Sequence, residues 1–288
     1  ANVVNVVINY FLIFGIWIFP KWGVTGAAVG TLASRVTMLI FVVILLYRDP
    51  RTATIIRQLV PKRLYKKELN QLLQLGLPSS LQMFFEVSFF TFAIWVCGFL
   101  SKDAQAANQI ALNLSSMTFM VAMGLSVAAT IRVGNQKGFK AFGELKRIAL
   151  SVFLLTLLLD VVFAGFFVAC NEWLPWLYLD SATGLDTFAV AELAGSLLFI
   201  AAFFQIFDGA QVVALGSLRG LQDVRIPTWI TFLAYVLIGV PVMLYLSVEA
   251  AMGARGVWIG LCLGLVVSSL LLYLRFRYLS NKLIRTNG

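Results

Sequence analysis

Residues 72–100 read LLQLGLPSSLQMFFEVSFFTFAIWVCGFL, an apolar run with one carboxylate, Glu86, 14 residues from either end. About 20 apolar residues in a helix cross a hydrocarbon core, and a charge at the midpoint costs about 2.5–3.5 kcal/mol on insertion scales. The run therefore reads as a membrane span whose acid is kept for a purpose. Seven more stretches are long enough to cross, at approximately 1–20, 23–47, 104–131, 148–170, 188–216, 226–247 and 256–274. Their length and their lack of strand-like alternation predict helices rather than a transmembrane barrel, whose strands run to about 10 residues. Composition agrees, with 60% hydrophobic and 12% charged residues in a chain of 288. The expectation is an all-α polytopic membrane protein with eight transmembrane helices.

The net charge of +9 has a topological explanation. Of 22 Lys and Arg, 18 lie in the connections after the second, fourth and sixth spans and in the tail. Only Lys21, Lys102 and Arg255 lie in the opposite connections, and Arg35 falls within the second span. Positive residues concentrate on the cytoplasmic side of membrane helices, which predicts both termini there. No basic stripe with interleaved aromatics forms on one element, so nucleic acid is not an expected partner. Histidine is absent, which excludes His-based zinc sites and Ser/His triads. Cys97, Cys170 and Cys262 show no metal or redox spacing and read as packing residues. No nucleophile with a base and no paired acids at loop ends appear, so an enzyme is not expected.

Two segments resemble each other. Residues 10–48 contain YFLIFG, a turn, GVTGAAVG and an apolar run ending LLYR; residues 235–275 contain YVLIG, a loop, GARGVWIG and a run ending LLYLR. Gly23, Gly26 and Gly30 share their spacing with Gly253, Gly256 and Gly260, at an offset of 230. Small residues so spaced let helices approach closely, and their recurrence suggests a duplicated unit. If the second unit has six spans and the first only its last two, the chain corresponds to about two thirds of a duplicated protein of roughly 440–450 residues. Residues 1–47 would then end the first lobe, 48–71 would form a cytoplasmic linker, and 72–288 would be a six-helix lobe with a cytoplasmic tail. In the linker, RLYKKELNQLL is expected to lie along the membrane interface as a basic amphipathic piece.

Charges at membrane depth are the candidate functional residues. Glu86 is one, and Asp208, in AAFFQIFDGAQVVALG, is the other. Asp160 and Arg35 are also central in their spans and read as a secondary pair, structurally neutralising each other. Ser79, Gln82 and Glu86 share a helical face, Gln205, Asp208 and Gln211 cross an adjoining sector, and Gln105, Gln109, Asn113 and Ser116 form a third stripe. Three such stripes imply a polar cavity, and Phe119, Phe204 and their aromatic and Met neighbours add apolar wall. A cavity of carboxylates and aromatic faces suits a greasy organic cation. Glu86 and Asp208 would bind an exchangeable cation, Na⁺ as a hard ion or H⁺. Asp186, in an external loop that also carries Glu172, Asp180 and Glu192 without Lys or Arg, is a candidate to attract cationic cargo.

NLSSMTFMVAMGLSVAATIRVGN at 113–135, GSLRGLQDVRIP at 216–227, and NYFLIFG with GVTGAAVGTLASR near the start resemble the multidrug and toxic compound extrusion (MATE) transporters, in particular their NorM-like branch. The resemblance implies twelve helices in two six-helix lobes, of which this chain carries the last two of the N-lobe and the whole C-lobe. It implies a cation site made by acids of the seventh and tenth helices, which match Glu86 and Asp208. Tyr positions near that site in some relatives correspond to Phe119 and Phe204, which bring no hydroxyl. It further implies a multidrug antiporter of a bacterial inner membrane, monomeric at full length, without cofactor, exporting cationic amphiphilic drugs or dyes against inward Na⁺ or H⁺. A flippase of lipid-linked saccharide, sharing the fold, is the alternative; its anionic cargo would call for a cavity rich in Lys or Arg.

Overall fold

A computed structural model describes residues 2–15, 21–48, 65–179 and 186–287, and the described chain is helical throughout. Seven helices are long and apolar enough to cross a membrane: α2 (Gly23–Arg48), α3 (Lys66–Leu100), α4 (Lys102–Gly138), α5 (Phe142–Ala169), α6 (Thr187–Gly220), α7 (Arg225–Glu249) and α8 (Ala254–Asn287). An eighth, α1 (Asn2–Phe14), is apolar but has 13 residues. At 1.5 Å per residue that is about 20 Å, less than the roughly 30 Å of a hydrocarbon core, so the expected span at 1–20 is shorter among the described residues. The basic piece expected along the interface is also different. From Lys66 it forms the first turns of α3 itself, and the rest of the linker, 49–64, lies outside the described residues.

The chain divides into two compact units, Ala1–Leu69 and Asn70–Gly288. In the first, α1 and α2 form a hairpin. Gly23, at φ +51°, supplies the left-handed backbone that starts α2. A Cβ on Gly26 would stand 2.6 Å from the Leu12 carbonyl oxygen, so only glycine lets the two helices meet there. Trp22 N–H closes the turn onto the Leu12 carbonyl at 3.0 Å, and Asn9 Nδ2 donates to Asn5 Oδ1 at 3.2 Å.

The second unit contains most of α3 and all of α4–α8, arranged about α6. From Val190 to Gly220 most of α6 is buried, packed by α4, α5 and α8. Polar side chains tie these neighbours to it: Ser126 Oγ donates to the Val212 carbonyl at 2.6 Å, and Thr130 Oγ1 to the Gly216 carbonyl at 2.9 Å. Gly216 and Gly220 open the surface of α6 to the α4 backbone at these points. The core follows α6 through Leu197, Leu198 and Phe204 to Tyr235 and Trp258, whose indole donates to Asn108 Oδ1 at 2.9 Å. Large apolar side chains such as Trp95, Leu154, Leu158 and Val162 stay exposed on the outside, as lipid allows and water does not.

The helix α7 is irregular. Leu233–Gly239 and Tyr245–Glu249 are π turns joined by Val240–Leu244, and Pro241 begins that short α segment without an N–H to offer. The helix α8 packs along it through Gly256 and Gly260, where an added Cβ would lie 2.5 Å from Leu246 and from Met243. Gly253, at φ +59°, turns the chain into α8 as Gly23 does into α2. The two glycine triplets thus do the same mechanical work in their own helix pairs.

Candidate functional site

Within the second unit, α3, α4 and α6 line an open cavity of about 320 Å³. Glu86 from α3 and Asp208 from α6 lie on its wall, with Gln109, Asn113 and Phe119 from α4 and Phe204 from α6. Phe90 and Met83 complete an apolar lining. The two acids are 8% and 5% exposed, deep in the bundle yet open to this cavity. Gln109 Nε2 donates to Asn113 Oδ1 at 3.3 Å, so the α4 amides satisfy one another along the wall. The Phe204 ring meets Phe90 edge-on at 5.9 Å and Trp258 at 5.4 Å, which fixes its face.

The other candidates are placed differently. Gln205 is committed to packing: Thr118 Oγ1 donates to its Oε1 at 3.0 Å and its Nε2 donates to the Asp160 backbone carbonyl at 3.3 Å, joining α4, α5 and α6. Asp186 caps α6, accepting from the Ala189 N–H at 3.3 Å, and does not line the cavity. Gln82 lies one turn before Glu86, and its Oε1 accepts from Arg219. Asp180 is outside the described residues. Asp160 is 3% exposed and packs its carboxylate on Gly209, next to Asp208. Its expected partner Arg35 is an exposed residue of α2 in the first unit, and the ion pairs among the described residues are Arg147 with Glu144 and Arg275 with Asp223. Asp160 thus has no cation bound to it among these.

Two residues that the sequence reading did not single out complete the site. Tyr235, fully buried on the π turn of α7, stacks on Phe89 with centroids 4.7 Å apart and accepts a hydrogen bond from Gln211 Nε2. Its hydroxyl is within electrostatic reach of Glu86 and Asp208 but does not line the cavity. Arg219, at the end of α6, turns its guanidinium inward to Gln82 at 3.2 Å and faces Glu86 electrostatically.

Asp208 Oδ1, Gln211 Oε1 and Asp160 Oδ2 are buried without a hydrogen-bond partner. Buried polar oxygens are costly when unmatched, and three acceptors in one region suit a cation. No group of three His, Cys, Asp or Glu side chains is clustered for a metal among the described residues. An ion here would draw on two carboxylates and neutral oxygens, a donor set that fits a singly charged hard cation better than a zinc-like metal.

Residues 78–244 match the MatE family model. The chain is 35% identical over 285 residues to the probable multidrug resistance protein NorM of Acinetobacter baylyi, covering 98% of this chain and 62% of that protein. It is 36% identical over 290 residues to the multidrug resistance protein MdtK of Yersinia pestis, covering 97% and 61%. It thus spans about three fifths of the length of these relatives. Among solved structures, an outward-facing multidrug resistance MATE family transporter of the MOP superfamily superposes with a TM-score of 0.84 at 21% identity, over 98% of this chain and 61% of that one. The eukaryotic MATE transporter AtDTX14 gives 0.83 at 18%, over 99% and 63%. The same helical arrangement is present in both, and because the family model matches more than half of its length, this multi-pass membrane chain, similar to the NorM proteins, belongs to the MatE family.

Proposed function

We propose that the protein is a multidrug efflux antiporter that exports cationic amphiphilic compounds in exchange for inward Na⁺, with Glu86 and Asp208 binding the coupling ion. The observation that carries this reading is the placement of both acids on the wall of an aromatic cavity, with unmatched oxygens beside them. Carboxylates supply the charge that a cation seeks, and Phe90, Phe119 and Phe204 supply faces for an organic cargo. Ion and drug then compete for the same negative charge, which is what exchange requires: each is released as the other arrives. A single inward charge contributes about 2.3 kcal/mol per 100 mV of membrane potential, in addition to its concentration gradient. Rocking of two six-helix lobes about a central cavity would expose the site alternately to the two sides. The relatives named multidrug resistance protein support the cargo class and their bacterial origin supports an inner-membrane location, while the distribution of Lys and Arg supports cytoplasmic termini.

The full-length protein in proteoliposomes tests this. Efflux of an ethidium-like dye is expected under an imposed Na⁺ gradient, and Glu86→Gln and Asp208→Asn are each expected to lower it at least tenfold, about 1.4 kcal/mol or more of coupling. A pH gradient applied without Na⁺ distinguishes H⁺ as the driving ion. Coupled efflux undiminished in both variants contradicts the proposal.

A further inference from the structure

Arg219 closes the helix α6, where its sequence position reads as one more positive residue of a connection. Its side chain goes the other way. Nη2 donates to Gln82 Oε1 at 3.2 Å, while Nε is buried without a partner. Gln82 and Glu86 are four residues apart on α3, which places their Cβ atoms about 5–6 Å from each other. The guanidinium and the Glu86 carboxylate act on each other electrostatically, yet they are not an ion pair at bonding distance among the described residues. The charge is therefore held by a neutral amide, one turn from the acid. The residue is half-buried, and its Nε has lost water without gaining a partner, an arrangement that is costly unless it serves a second state.

We propose that Arg219 is the exchangeable counter-charge of Glu86, compensating the carboxylate when the coupling ion is absent and repelled from it when the ion is bound. The inference rests on the reading that Glu86 holds that ion. A built-in cation lowers the affinity of the site for Na⁺ and speeds its release. It also ties occupancy to structure. Arg219 precedes Gly220, which is packed on α4, and the turn in which Asp223 pairs with Arg275 of α8 at 2.8 Å. Displacing the guanidinium from Gln82 frees α3 from this turn, so filling the site loosens the end of α6.

Isothermal titration of the full-length protein in nanodiscs with Na⁺ tests the proposal. Arg219→Gln is expected to tighten Na⁺ binding about tenfold or more, from loss of a unit charge that acts on Glu86 at an effective dielectric near 20. Arg219→Lys keeps the charge and is expected to stay near wild type, whereas a purely structural role would weaken binding in both variants. Unchanged or weaker binding in Arg219→Gln, with binding abolished by Glu86→Gln, overturns the counter-charge alone. Na⁺ binding that keeps wild-type strength in Glu86→Gln, or that is absent from wild type, overturns the ion reading and the counter-charge with it. Should Arg219→Gln not fold, the wild-type protein still answers: saturating Na⁺ is expected to speed amide hydrogen exchange at 217–222, and unchanged or slower exchange there overturns the proposal.

Discussion

Gln211 shows how one side chain joins stability to the site. Its amide nitrogen is spent on the Tyr235 hydroxyl, and its carbonyl oxygen stays unmatched in the core, one turn from Asp208. Tyr235→Phe leaves that nitrogen without an acceptor, so thermal unfolding is expected to show a loss of about 1–3 kcal/mol even though the Phe89 stacking persists. An unchanged unfolding temperature would contradict this account of the pair. Glu86 and Asp208 were legible in the sequence because an acid surrounded by twenty apolar residues has no cheap explanation. Tyr235 and Arg219 were not. The first sits in an apolar run, YVLIG, where an aromatic is ordinary filling, and the second adjoins a connection where arginine is expected on topological grounds. Only the three-dimensional path of a long flexible stem reveals that Arg219 points into the bundle.

At the scale of elements, the glycine spacing was readable and its consequence is mechanical. Gly260→Leu would force a side chain into the Met243 backbone, prying α8 from α7, and is expected to cost several kcal/mol or to prevent folding. Gly76→Ala is the control, since open space surrounds that position on α3, and it is expected to leave the unfolding temperature unchanged or slightly higher. A comparable loss in both would contradict the close-packing account, since helix propensity alone favours alanine and leucine over glycine. The π turns of α7 were beyond reach of the sequence, because an added residue per turn breaks the 3.6-residue period on which face assignment depends. Tyr235 is carried by one of them, and counting along a regular helix would have aimed it elsewhere. The stretch GSLRGLQDVRIP is likewise more than a loop: Lys137 Nζ donates to the Leu221 carbonyl at 2.7 Å, Gln222 adopts φ +61°, and Asp223 holds Arg275. These contacts bring α4 and α8 to the end of α6.

At the scale of the whole molecule, hydropathy and the distribution of Lys and Arg were enough to read a polytopic helical protein, because lipid leaves few other ways to satisfy a backbone. The count of spans was less secure, since α1 is short among the described residues and the interfacial piece before α3 is continuous with it. The charge bias makes a further prediction. A cysteine at exposed Phe139, between α4 and α5, should react with an impermeant maleimide only from the cytoplasmic side, and one at Ala251, between α7 and α8, only from the outside. Labelling of both from one side would contradict the topology. The central claim is that Glu86 and Asp208 together hold the coupling ion, and equilibrium binding of radioactive Na⁺ to the full-length protein measures it most directly. Wild type is expected to bind Na⁺ saturably, and Glu86→Gln and Asp208→Asn are each expected to weaken binding at least tenfold, about 1.4 kcal/mol; binding at wild-type strength in both variants would contradict it.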